Sequence, residues 1–135
     1  MKDIIVKLLA IYHYAKDIHY TAQGESFYAI HTLMDRICDG IHDQVDDINE
    51  VCYLGTNKEA PFSYDILKIV TASIPEKGPT SYMLGFLDEM LENAIAAISE
   101  LKEKTYMSGG EASLLDDIQK TLLQKRGLVL RSKNI

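Results

Sequence analysis

The chain has no tryptophan, three prolines and two cysteines in 135 residues. The prolines (Pro61, Pro75, Pro79) fall in one central stretch, so nothing before or after it carries that kind of helix breaker. Two cysteines, Cys38 and Cys52, are too few for a disulfide framework. On a single helix they would lie about 21 Å apart, too far to bridge, and they read as buried thiols. No apolar run reaches the length of a membrane span. The N-terminus, Met1-Lys2-Asp3-Ile4-Ile5-Val6-Lys7, puts charges where a signal peptide is apolar and lacks a small-residue cleavage site. A reducing, cytoplasmic setting without a membrane partner is the expectation. There is no repeat of solenoid length and no low-complexity tract. Acids are missing after Asp117: the net charge of −6 divides into nine basic and twenty acidic groups over residues 1–117, and five basic groups beyond. Those five are Lys120, Lys125, Arg126, Arg131 and Lys133.

What is present is ordinary for one globular domain over residues 1–135, 47% hydrophobic and 25% charged. Residues 2–22 form a first helix, with Ile4, Leu8, Ile11, Ala15, Ile18 and Ala22 along one stripe and His19 at its edge. Gln23-Gly24-Glu25-Ser26 makes a tight connection, Gly24 stopping one helix and Ser26 serving as N-cap of the next. The second helix runs from Phe27 to Leu54 with a single glycine, Gly40. A short helix follows from Ser63 to about Thr71, a third long helix spans 81–105, and Ser108-Gly109-Gly110-Glu111 is a capping-box start for the fourth. Gly127 interrupts or ends that last helix. Four long helices with one long middle connection predict an all-α, ferritin-like four-helix bundle with a short extra helix in the connection.

The second helix carries the chemistry. At about 100° per residue, His31, Asp35, Asp39, His42, Asp43, Asp46 and Glu50 share a stripe about 120° wide. Beside it lie Phe27, Ile30, Met34, Cys38, Ile41, Val45, Ile48 and Cys52, the core side. His31 and Asp35 are four residues apart, as are Asp46 and Glu50, but about 16 Å separates the two pairs along the axis. Metal–ligand bonds are about 2 Å long, so one ion cannot use both pairs of one helix. An antiparallel second copy, crossing near Gly40 about a two-fold axis, would face Asp35 with the partner's acid pair and create two equivalent sites. The plainer reading is an amphipathic helix with a solvated acidic face, although Arg36 is the only base there. The short turn at Gly24 brings His19 level with His31, while His13 lies on another face and has no assigned role.

His19-Tyr20-Thr21-Ala22-Gln23-Gly24-Glu25-Ser26-Phe27, then His31, Asp35, Asp46 and Glu50, resembles the Dps miniferritins, with ligand types at that family's spacing of 12, 4, 11 and 4. The resemblance implies a hollow cytoplasmic shell of twelve subunits built on two-fold dimers. His19, His31 and Asp35 of one subunit would meet Asp46 and Glu50 of its mate to form a ferroxidase site for iron. Tyr20 stands where the family usually has Trp, Val51 where it has Arg, and Gly127 or Leu128 where it has a second Trp. The N-terminal extension that many members use to grip DNA has no counterpart before the first helix.

Imidazole and carboxylate ligands together suit Fe(II), with Zn and Mn as other occupants. The expected reaction is oxidation of Fe(II), preferably by hydrogen peroxide or else by oxygen, followed by mineral deposition. His19 and His31 are the nitrogen donors, Asp35 and Glu50 the primary or bridging carboxylates, and Asp46 holds the second position. Asp39 and Asp43 are candidates for passing iron inward, with solvated acids as the alternative. By the resemblance, Glu111 and Asp117 would rebuild a three-fold pore ring whose usual Asp is Ser113 here; the alternative is that they favour a helix N-terminus. Paired Glu-x-x-His motifs of an intrasubunit di-iron site are absent, with Asp39-x-x-His42 only a weak echo. A second hypothesis is a DNA-compacting protein that uses the basic C-terminal segment, opposed by a body of net charge −11 (nine basic against twenty acidic groups). In the alternative, Lys125 and Arg126 complement the last helix's negative end. DNA binding is expected to be weak or absent at physiological salt. A third possibility is a degenerate bundle with a purely structural role.

Overall fold

The computed structural model describes residues 1–133, and every regular element among them is helical. The α-helices are α1 (Lys2–Thr21), α2 (Phe27–Cys38), α3 (Ile41–Ile48), α4 (Ser63–Ser73), α5 (Thr80–Lys104) and α6 (Gly109–Ser132). A π-helical turn, Asn49–Tyr53, and a 3-10 turn, Leu54–Thr56, continue α3. Asn57 ends this run in the left-handed conformation (φ 57°), a common helix stop for Asn.

Neighbouring rods run antiparallel. Met1 and Ile4 share a cavity wall with Ala97, Leu101 and Thr105, so α1 starts where α5 ends. Ser26 and Ile30 line another cavity with Thr80, Leu84 and Ser132, so α2 starts beside the start of α5 and the end of α6. α1 packs on α2 and α5, α6 packs on α5 and on α2 and α3, and the segment 57–79 returns the chain the length of the molecule. Its α4 lies across α1, held by Ile66 and Val70. The core is continuous, with Leu8, Ile11, Ile18, Met34, Leu87, Leu91, Leu115 and Leu122 fully enclosed. Tyr14 sits in it with its hydroxyl unpartnered, and burial pushes its pKa up to about 12. Cys38 and Cys52 are free, buried thiols.

Three expectations need correction. The expected helix from Phe27 to Leu54 is not continuous. Asp39 is extended (φ −59°, ψ 131°) and Gly40 left-handed (φ 77°), a conformation that only a residue without Cβ takes at no cost. The single wheel that placed His31, Asp35, Asp39, His42, Asp43, Asp46 and Glu50 on one stripe therefore does not describe the chain, and Gly40 is a break within the helix. Gly127 neither interrupts nor ends α6, which runs through it to Ser132 because Leu122, Lys125 and Val129 stay buried on either side. Ser26 precedes α2 without a side-chain capping bond, whereas Gly24 does take the left-handed turn (φ 103°). The Ser108–Glu111 capping box forms as the sequence predicts.

Candidate metal centre

The tight turn at Gly24 places the last turn of α1 beside the second turn of α2. The carbonyl of His19 is among the last four of α1, which have no partner within the helix. The ring of His31 supplies one: its Nδ1 donates to the His19 carbonyl at 2.9 Å, and His19 Nδ1 donates to the His31 carbonyl at 2.7 Å. A carbonyl can only accept, so both Nδ1 atoms carry hydrogen, and the tautomer this selects for an uncharged ring has its lone pair on Nε2. The rings stack, with centroids 3.6 Å apart and planes 18° from parallel. His19 is 8% exposed. Phe27 tilts against His31, with centroids 5.1 Å apart, and Tyr20 stands edge-on to His19 at 5.0 Å.

Asp35, one turn beyond His31, sets its Oδ1 3.6 Å from His19 Nδ1 and 3.5 Å from Lys16 Nζ. Lys16 was not among the residues expected here. The signal for it was its position three before His19, on the turn of α1 that faces the same hairpin.

The second half of the expected ligand set lies past the break. Asp46 is exposed on α3, and Glu50 is exposed within the π-helical turn, where the Leu54 amide bonds to the carbonyls of both Asn49 and Glu50. Among the described residues no group of three or more His, Cys, Asp or Glu side chains is arranged to hold a metal ion within one chain. Asp46 and Glu50 therefore do not complete a set with His31 and Asp35 inside a single subunit. Asp39 and Asp43 are exposed. His42 is exposed too, its ring edge-on to Tyr12 at 4.3 Å. His13 also abuts Tyr12, away from the His pair.

The acids at the start of α6 are partly committed. The Glu111 carboxylate accepts from the Ser108 amide at 3.2 Å and from Ser108 Oγ at 3.0 Å. Asp116 pairs with Lys102 of α5, and Asp117 is exposed. The basic C-terminal groups are committed more fully. Lys125 is 5% exposed and donates to the carbonyl of Asp39 at 2.7 Å. Arg126 reaches Asp88 at 3.0 Å and Glu92 at 3.2 Å, and Lys133 reaches Asp88 at 3.3 Å. Lys125 and Arg126 thus serve contacts between helices, not the negative end of α6, which lies at Ser132. Lys120 and Arg131 are exposed. No described helix is long and apolar enough to cross a membrane. Comparison with protein-family models, with curated proteins and with solved structures finds no match to this chain.

Proposed function

We propose that the chain is a subunit of a ferritin-like, Dps-type ferroxidase. It would oxidise Fe(II), preferably with hydrogen peroxide, at sites shared by two-fold-related copies, and store ferric mineral in a hollow cytoplasmic homo-oligomer, a dodecamer by the resemblance. The observation that carries the reading is the reciprocal His19–His31 pair. Each Nδ1 is held by a carbonyl, which fixes ring orientation and leaves Nε2 as the donor, the usual arrangement behind metal-binding imidazoles. Asp35 adjoins the pair and supplies an oxygen donor, a mixture suited to Fe(II). Antiparallel neighbouring rods with one long return connection support the ferritin-like arrangement.

The same geometry favours division of the site between copies. His19, His31 and Asp35 do not make a complete site in one chain, and Asp46 and Glu50 stand exposed beyond the break. Large apolar side chains are uncovered beside both halves: Tyr20, Phe27 and Tyr28 near the His pair, Val51 and Leu54 after Glu50. A second copy would cover such surface. In this site the histidines bind and orient the substrate cation. The carboxylates of Asp35, Asp46 and Glu50 balance the added charge as Fe(II) becomes Fe(III), with peroxide accepting the electrons. Lys16 holds Asp35 by charge until a cation displaces it. The DNA-compaction reading is weakened, because Lys125, Arg126 and Lys133 are spent on contacts inside the subunit. DNA binding is expected to be slight at physiological salt.

Stopped-flow Fe(II) oxidation with sizing by light scattering tests the reading. His31→Ala and Asp46→Ala should each lower the rate at least about a hundredfold, more than loss of a residue that merely supports a ligand. Mixed hybrid dimers of the two variants keep one intact site each and should regain part of the activity. No recovery with mixed assembly verified, or rapid oxidation by a monomer, overturns the shared site.

A further inference from the structure

We propose that Thr121 and Lys125 of α6 are positioning residues: together they set the angle between α2 and α3, and so fix where the Asp46–Glu50 half of the site stands relative to the His31–Asp35 half. The consequence for metal rests on the ferroxidase reading; the geometry does not.

The break at Asp39 and Gly40 leaves carbonyls at the end of α2 without helical partners. Lys125 Nζ, buried in the stripe formed by Leu115, Ile118, Leu122 and Val129, fills one of them by donating to the Asp39 carbonyl at 2.7 Å. An apolar residue would be the default on this stripe, since burying an ammonium group is costly without partners. Burial does push the Lys125 pKa down. One turn earlier, Thr121 Oγ1 accepts from Gln44 Nε2 of α3 at 2.8 Å and donates to the Ile118 carbonyl at 2.8 Å. Two residues four apart on one unbroken helix thus hold the last residue of the break's near side and the first turn of its far side. α3 has only eight residues, too few to keep its own direction. Ile41 and Ile48 seat it in the core, where it packs on α1 as well as α6, and the two bonds fix its bearing from the α6 side.

The angle matters because a two-fold site would join the near side of one subunit's break to the far side of its mate's. Asp46 lies six residues beyond Gly40, about 9 Å along α3. A swing of about 10° would displace it by roughly 1.5 Å, enough to spoil a preorganised ligand set.

The experiment compares full-length wild type with Lys125→Met, with Gln44→Met, which removes the second tie without entering the α6 core stripe, and with Ile98→Val as a core control on α5. Amide hydrogen exchange is read helix by helix, and Co²⁺ binding is followed by its visible absorption. Lys125→Met should speed exchange in 41–48 at least about tenfold while α1 and α5 keep their protection. It should also weaken Co²⁺ at least about tenfold and change its spectrum. Gln44→Met should do the same to a smaller degree, and Ile98→Val should leave the spectrum unchanged. Unchanged exchange in 41–48, or a uniform rise in every helix, overturns the positioning role. Loosened 41–48 with unaltered Co²⁺ affinity and spectrum overturns the link to the site. Absence of Co²⁺ binding by wild type overturns the metal reading and that link together, while the exchange data still decide the hinge.

Discussion

The α5–α6 hairpin runs 25 and 24 residues without a break, whereas in the α1–α2 hairpin a 20-residue helix is answered by only 12 residues before the chain leaves helical geometry at Asp39. The first pair is tied by side chains of opposite charge: Asp88 with Arg126 and Lys133, Glu92 with Arg126, Asp116 with Lys102. Its second helix, α6, also starts on a complete capping box. The second pair is tied by histidine rings bonded to each other's backbone, and its return limb is bonded to α6 at the break. One hairpin is an unbroken rail. The other carries the candidate chemistry, is broken at Asp39–Gly40 and is bonded to the rail there. In the proposed shared site, whose halves would meet across a symmetry axis, such a reference would matter, because errors on both sides of the axis combine.

The comparison breaks most visibly at the charge clamp of the rail. Asp88 is 8% exposed and holds two cations, so Asp88→Asn leaves Lys133 without its carboxylate and Arg126 with Glu92 alone. Full burial of such a pair would make the loss about 3–5 kcal/mol, but Arg126 and Lys133 keep partial access to water, and about 2 kcal/mol is expected. Denaturant unfolding measures it. A loss below about 0.5 kcal/mol would mean that the Asp88 clamp adds little to the joining of α5 to α6. Fe(II) oxidation per folded subunit should change little, since Asp88 lies outside the His pair.

Much of this difference was legible in the residues, and the part that was not has a physical cause. Periodic apolar stripes located α1 and α5 within a residue or two, and Ser108 with Glu111 marked the start of α6 with a cap that forms in full, whereas its end at Ser132 lies five residues past the expected stop at Gly127. The turn at Gly24 was enough to bring His19 level with His31. The break at Gly40 was missed because a lone glycine in a helical pattern is usually tolerated, and the apolar period resumes in phase at Ile41, Val45 and Ile48. The Asp39-Gly40 dipeptide, a common turn signal, was the available clue. Lys125 was read by its charge, when its place three residues after Leu122 and four before Val129 already put it on the buried stripe. The reciprocal ring-to-carbonyl bonds had no sequence signal, since they depend on how closely two helices approach.

Gly40→Ala sharpens the comparison on the broken limb. A Cβ at Gly40 would meet no atom within 4 Å, so space is not the obstacle. The cost is conformational: an L-residue at φ 77° pays about 1–2 kcal/mol. Straightening the chain to escape that cost would forfeit the Lys125 and Gln44 bonds, so the destabilisation should persist. Thermal unfolding should show it, and Gly40→Asn should lose less, as Asn tolerates the left-handed region better. Equal stability of Gly40→Ala and wild type would mean that the break is not required.

Gly127→Ala makes the same substitution on the rail and should have the opposite sign. Gly127 lies inside α6, with nothing within 4 Å of an added Cβ, and its backbone is not in the positive-φ region. Glycine in a helix interior gives up more backbone freedom on folding than alanine does, so the replacement should stabilise by about 0.5–1 kcal/mol. The effect comes chiefly from the unfolded chain and needs no new contact. Read by the same thermal unfolding, the two alanines separate the hairpins cleanly: one glycine is there because the chain must turn, the other sits in a helix that does not use its freedom. A destabilising Gly127→Ala, accompanied by weakened assembly, would show that α6 needs a bare backbone there for another copy to approach. Light scattering reads the assembly, since simple strain within the subunit would lower stability and leave assembly intact.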